Sequence, residues 1–96
     1  MTKNEISMVQ MPAFKRAYKK LHNRTKRAVD DAVRSIVRDP TIGEEKRGDL
    51  AEVFVYQFKE KTQQYLLAYE WDPETRILLA LGVHENFYRD MKQARN

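Results

Sequence analysis

Leu78-Leu79-Ala80-Leu81-Gly82-Val83-His84-Glu85-Asn86-Phe87-Tyr88-Arg89 is an apolar run of strand length that breaks abruptly into groups able to move protons, donate hydrogen bonds or stack. Arg76 to Val83 is apolar on both faces, the pattern of a strand with neighbours on either side, and predicts a central place in a sheet. Everything upstream then reads as scaffold for what that strand delivers at its end. Immediately before it, Asp72-Pro73-Glu74-Thr75 has proline at the second position of a turn and aspartate ahead of it, a strong turn signal.

Working back from that turn, Gln63 to Trp71 predicts a strand, with Tyr65, Leu67, Tyr69 and Trp71 alternating against Leu66, Ala68 and Glu70. Glu60-Lys61-Thr62 is a polar turn, and Ala51 to Phe58 predicts another strand, Val53 and Val55 on one face and Phe54, Tyr56 and Phe58 on the other. Three strands joined by short turns make an antiparallel meander. Thr41 to Asp49 reads as a loop punctuated by Gly43 and Gly48.

The preceding segment is helical. Phe14, Ala17, Tyr18 and Leu21, then Ala28, Val29, Ala32, Val33, Ile36 and Val37, follow the three-and-four spacing of an amphipathic helix. His22-Asn23-Arg24-Thr25 interrupts the pattern with residues able to cap helix ends. One long helix and an antiparallel hairpin both fit, and the interruption favours the hairpin. Pro12 suits a first helical position, and Asp39-Pro40 ends the second helix. Ile6 to Met11 predicts a first strand. The expected architecture is α+β: an N-terminal strand, a two-helix hairpin covering one face of the sheet, and the meander, with the opposite face open in part to ligand.

The chain has 96 residues, 42% hydrophobic and 33% charged, which predicts one globular domain over residues 1–96. No apolar run has membrane-spanning length and the N-terminus lacks signal-peptide order, so a cytoplasmic protein without a membrane partner is expected. The absence of cysteine excludes disulfides, thiol nucleophiles and cysteine-bound zinc. Two histidines 62 positions apart give no metal-ligand pattern, and no cofactor motif is present. The net charge of +4 is uneven: residues 12–48 hold eleven basic against five acidic groups, and residues 49–96 six against eight. The first half is the part suited to a polyanion.

The basic hairpin ending in Asp39-Pro40, the linker Gly43-Glu44-Glu45-Lys46-Arg47-Gly48-Asp49-Leu50, the strand triplet and the ending Gly82-Val83-His84-Glu85-Asn86-Phe87-Tyr88 together resemble the RelE/ParE superfamily of bacterial toxins from type II toxin-antitoxin modules. The likeness runs from Met8 to Lys92. It implies a RelE/ParE-like fold with a short C-terminal helix, and a toxin neutralised by a cognate antitoxin in an oligomeric complex that binds its operator through the antitoxin. RelE-like members cut mRNA on the ribosome without metal, and ParE-like members poison DNA gyrase. Gly82, His84 and Tyr88 resemble the ending of the YafQ-type nuclease branch, which implies His84 as acid or base and Tyr88 as the aromatic that stacks on or orients substrate. RelE-type enzymes often carry an arginine at the start of the third strand, where this chain has Gln63-Gln64.

Read as chemistry, histidine titrates near neutrality and suits either proton-transfer role, although a lone histidine at a strand end is most often a surface or capping residue. If residues after His84 turn helical, His84 and Tyr88 lie one turn apart on one face. Lys46, Arg47, Arg76 and Arg89 are candidates for phosphate neutralisation, Lys46 and Arg47 foremost because their loop is flanked by glycines. The expectation is therefore a ribosome-dependent mRNA endonuclease. The alternatives are a gyrase inhibitor and a degenerate, non-toxic antitoxin-binding domain.

Overall fold

Helix starts and two-residue turns divide the chain much as its periodicity predicts. The computed structural model describes residues 5–46 and 52–83. Among these, β1 (Ser7–Gln10) leads into α1 (Pro12–Lys19) and α2 (Asn23–Arg38), followed by a 3-10 turn (Pro40–Ile42). The short strand β2 (Glu44–Glu45) precedes β3 (Phe54–Glu60), β4 (Gln63–Asp72) and β5 (Thr75–Gly82).

The helices do form a hairpin. Lys20 closes α1 with its N–H on the Ala17 carbonyl at 3.3 Å, the Leu21 N–H donates to Tyr18 at 3.1 Å, and His22 stands at the N-cap of α2 in extended conformation. The break therefore falls at Lys20–His22, and Asn23 to Thr25, expected in the turn, begin α2. Thr25 is drawn in because it is buried and its hydroxyl donates to Glu60 at 3.0 Å, fastening α2 to the end of β3. The Tyr18 hydroxyl donates to Asp30 at 2.8 Å and joins the two helices.

The strands form one sheet in the order β1-β5-β4-β3-β2. β3, β4 and β5 are antiparallel neighbours, as the meander requires, and β1 returns parallel to β5. β5 thus has partners on both sides, and β4 occupies the middle. The turn before β5 forms as read, with the Asp72 carboxylate accepting from the Glu74 N–H at 2.8 Å. Two boundaries differ from expectation. The Ala51–Phe58 strand is shifted to Phe54–Glu60, and the Thr41–Asp49 loop contains the 3-10 turn and β2. The added strand forms because Glu44 and Glu45 pair with Val55 and Phe54.

One core lies between sheet and helices, built on Phe14, Val29, Ile36, Leu67, Tyr69 and Leu78. A second lies on the opposite face, with Val53, Val55, Leu66, Ala68, Leu79 and Ala80. This face is expected to be open to ligand in part, and that part excludes these six residues, which are at most 4% exposed. Both faces of β5 meet a core from Leu78 to Leu81, and a bulge sets which residue goes to which. Ala68 pairs with Ala80 but Tyr69 pairs with Leu78, so Leu79 is extra and the alternation reverses parity across it. Leu78 and Leu81 then face the helices while Leu79 and Ala80 face the other way. The C-terminal helix implied by resemblance lies outside the described residues.

Candidate functional site

β5 carries the chain to Gly82, which pairs with Leu66 of β4; Leu66 pairs in turn with Gln57 of β3. On the face away from the helices, the buried apolar floor of Val55, Leu66, Ala68 and Ala80 gives way here to exposed polar groups, Gln57, Lys59 and Gln64. Strand parity produces the change, because Gln57 and Lys59 continue the face of Val53 and Val55, and Gln64 continues that of Leu66 and Ala68. The Gln64 amide donates to the Gln57 side-chain oxygen, which fixes both amides across the β3–β4 pair. A Cβ built on Gly82 would meet nothing within 4 Å. Among the described residues, the rim therefore offers amide donors, the Lys59 cation and open space at the Gly82 Cβ position. Amides and a lysine can bind phosphate oxygens, but they supply no proton-transfer group of suitable pKa.

His84, Tyr88, Arg47 and Arg89 lie outside the described residues; His84 follows Gly82 by two positions in the chain. The other two expected site residues are placed elsewhere. Lys46 donates its backbone N–H to Val53 at 2.8 Å, beside the start of β3, and its ammonium lies 3.3 Å from Glu44. That end of the sheet is roughly 13 Å from Gly82 along the strands and roughly 14 Å across them. The described geometry thus does not bring Lys46 to the end of β5.

Arg76 is corrected more firmly. It sits at the opposite end of β5, is 4% exposed, and shares the helix-facing side with Leu78. Its guanidinium donates to the carbonyls of Ile36 at 3.3 Å and Val37 at 3.0 Å, and to Asp72 at 2.7 Å and Thr75 at 3.2 Å. The positive charge faces the carbonyl end of α2, where the helix dipole favours it. The Trp71 ring lies 5.8 Å away. These bonds occupy Arg76 in fastening helix to sheet and leave it no exposed face for a phosphate.

Nothing local in the sequence marks Gln57, Lys59 and Gln64. The available signal was the change from apolar to polar on one parity of two adjacent strands, visible only once their register is known.

Comparison with known proteins gives one answer from sequence and one from structure. Residues 8–92 match the model of a family described as ParE-like toxin of type II bacterial toxin-antitoxin systems. No curated protein sequence matches. Among solved structures, the chain is similar to the RelBE2 toxin-antitoxin complex of Mycobacterium tuberculosis, at 24% identity and TM-score 0.70, covering 83% of this chain and 99% of that one. It is also similar to a double arginine-to-alanine mutant of Escherichia coli RelE in the free state, at 13% identity and TM-score 0.71, with 95% of each chain covered. A YoeB/ParE toxin from Agrobacterium tumefaciens matches at 15% identity and TM-score 0.65, covering 82% of this chain and 99% of that one. At such identities the structural likeness establishes the fold.

Proposed function

Because the chain belongs to the ParE-like toxin family of type II bacterial toxin-antitoxin systems, we propose that it is a translation-inhibiting toxin that cleaves mRNA on the ribosome and is held inactive by a cognate antitoxin. The observation that carries the cleavage reading is the polar, uncovered rim at the end of β5, where the chain reaches the Gly82, His84 and Tyr88 pattern.

Metal-independent cleavage requires a base to take the 2′-hydroxyl proton, an acid to protonate the departing 5′-oxygen, and positive charge for the phosphorane between. His84 fills one proton-transfer role. Tyr88 stacks on or orients the nucleotide, and Arg47 and Arg89 supply charge. Gln57, Gln64 and Lys59 add hydrogen bonds to phosphate oxygens from the sheet. Lys46 contributes only if its loop turns toward the rim, and Arg76 is removed from the set by its burial. The setting is the bacterial cytoplasm, where ribosomes are; among the described residues no helix is long and apolar enough to cross a membrane.

The second reading is gyrase inhibition. Gln63-Gln64 at the start of β4, where RelE-type enzymes often carry an arginine, favours it. Primer-extension mapping of mRNA after induction without antitoxin, beside a gyrase supercoiling assay, separates the two. Cleavage within codons, abolished by His84→Ala in a folded protein that still binds antitoxin, is the expected result. Intact mRNA with inhibited supercoiling would transfer the assignment to gyrase, and absence of any growth effect would point to a degenerate antitoxin-binding domain.

A further inference from the structure

We propose that the free edge of β1 is the contact surface for a second copy of this chain, which joins the two sheets into one across a two-fold axis. Among the described residues β1 has β5 as its one neighbour, and its other side ends the sheet. The Ser7 N–H donates to the Glu74 carbonyl and the Met11 N–H to the Leu78 carbonyl, both at 2.9 Å. Alternation along the strand then directs the backbone groups of Ser7, Val9 and Met11 toward β5 and turns the N–H and C=O of Met8 and Gln10 outward.

Natural sheets guard such an edge with charge, proline, a bulge or brevity. The opposite edge of this sheet is guarded, since β2 is two residues long and both are glutamate. β1 is not guarded. Ile6 to Phe14 carries no charge in a chain that is 33% charged, and Met8 and Val9 are 44% and 45% exposed. Shorter charge-free runs, 63–69 and 77–82, lie in β4 and β5, which have strand neighbours on both sides. The edge thus has the composition of an interior strand with one neighbour missing.

The strand is complementary to itself. An antiparallel second copy set with Val9 on Val9 brings Met8 of each copy opposite Gln10 of the other, so the outward-turned residues face one another. Both pairs then exchange backbone hydrogen bonds in each direction, and Val9 meets Val9 at the closer, non-hydrogen-bonded position between them. Val9 pairs with Ile77 inside its own sheet, so an apolar row of Ile77, Val9, Val9 and Ile77 crosses the axis. On the helix side, Met8 and Gln10 border a groove of about 330 Å³ lined also by Phe14, Val29 and Leu78, and the second copy's Met8 stands at its mouth. The charges match as well. The same register lays exposed Glu5 of one copy beside Pro12 and Ala13 of the other, in the first turn of α1. That turn has no acidic residue, α1 has no side-chain cap, and exposed Lys15 follows, so a carboxylate supplied there is favoured by the helix dipole. The surface uses none of the rim residues, so the inference goes beyond the cleavage reading and does not depend on it.

Pairing over a four-residue strand makes a small interface, which sets the affinity in the weak class. Sedimentation equilibrium of the full chain without antitoxin, from roughly 10 µM to 1 mM, should show monomer and dimer with a Kd on the order of 10⁻⁵ to 10⁻⁴ M. Val9→Lys sets two ammonium groups against each other on the axis, at a position exposed in the single chain. It should weaken the dimer about 10-fold or more and leave the melting temperature of the dilute protein unchanged. The chain has no cysteine, so one introduced thiol reports one contact. Val9→Cys should oxidise to an intermolecular disulfide at least about 10-fold faster than Ser7→Cys, whose two copies lie roughly 13 Å apart in this register, beyond disulfide reach. Val9→Lys with an unchanged Kd, or equal oxidation at positions 7 and 9, would overturn the proposal. So would wild-type protein that stays monomeric throughout, and if Val9→Lys then weakened antitoxin binding, the edge would belong to the antitoxin instead.

Discussion

The Arg76 guanidinium donates to the carbonyl oxygen of Val37 at 3.0 Å, joining the first residues of β5 to the last turn of α2 across 39 positions of sequence. Carbonyls at a helix C-terminus have no partner within the helix and carry the negative end of its dipole. A cation delivered by the sheet satisfies them, and the Asp72 and Thr75 carbonyls occupy its remaining donors.

Arg76→Met therefore removes four charge-assisted hydrogen bonds and leaves buried acceptors, a loss of roughly 2–3 kcal/mol. Urea unfolding should show it as a lower midpoint at unchanged slope. In the fraction that remains folded, the salt dependence of nucleic-acid binding should match wild type. A lower salt slope with unchanged stability would instead return Arg76 to phosphate contact.

Tyr69 holds the turn that follows α2. Its hydroxyl donates to the Pro40 carbonyl at 2.6 Å and accepts from the Gly43 N–H at 3.0 Å, and the residue is fully buried. Tyr69→Phe should destabilise by about 1–3 kcal/mol by leaving both backbone groups unpaired. Burial is the main cause holding this phenol above its ordinary value of 10.0, while the Gly43 bond opposes it. An acid whose pKa is raised by folding keeps its full contribution below the unfolded value and loses it as pH rises through the folded one. Stability should accordingly fall from about pH 10 upward, and fall less steeply in Tyr69→Phe. Identical alkaline profiles would show that Tyr69 does not govern this limb.

Gly43 is required by that same hydroxyl. A Cβ built there lies 2.5 Å from the Tyr69 oxygen, 3.0 Å from Cε1 and 3.1 Å from Cζ. Gly43→Ala should cost roughly 1–3 kcal/mol, the usual range for overpacking. In a Tyr69→Phe background the closest contact is gone, so the added cost should shrink by at least about 0.5 kcal/mol, the scale on which touching residues couple. Strict additivity in the double-mutant cycle would exclude the clash as the reason for glycine.

Much of this architecture is legible in the chain because period and punctuation act locally. Pro12, the Asp72-Pro73 turn and the apolar spacing of α2 each specify their element without reference to anything distant. Arg76 carries no such mark, because a single arginine looks the same at a surface and under a helix end. Strand parity held the missing clue, since position 76 shares a face with Leu78. The bulge at Leu79 was invisible for a related reason, as an extra residue in a run apolar on both faces leaves no change of pattern. The rim of Gln57, Lys59 and Gln64 depends on register between strands, which no one segment encodes.

Gly82 offers the sharpest separation of stability from function. Its Cβ position is open, and glycine within a strand is less stable than alanine by roughly 0.5–1 kcal/mol, so Gly82→Ala should fold at least as well as wild type. On the proposed rim reading, glycine at this point leaves the backbone open to substrate. The rim reading predicts that Gly82→Ala weakens growth arrest on induction while thermal unfolding and antitoxin binding hold. Undiminished arrest by a stable Gly82→Ala protein would mean that the substrate does not pass over the end of β5.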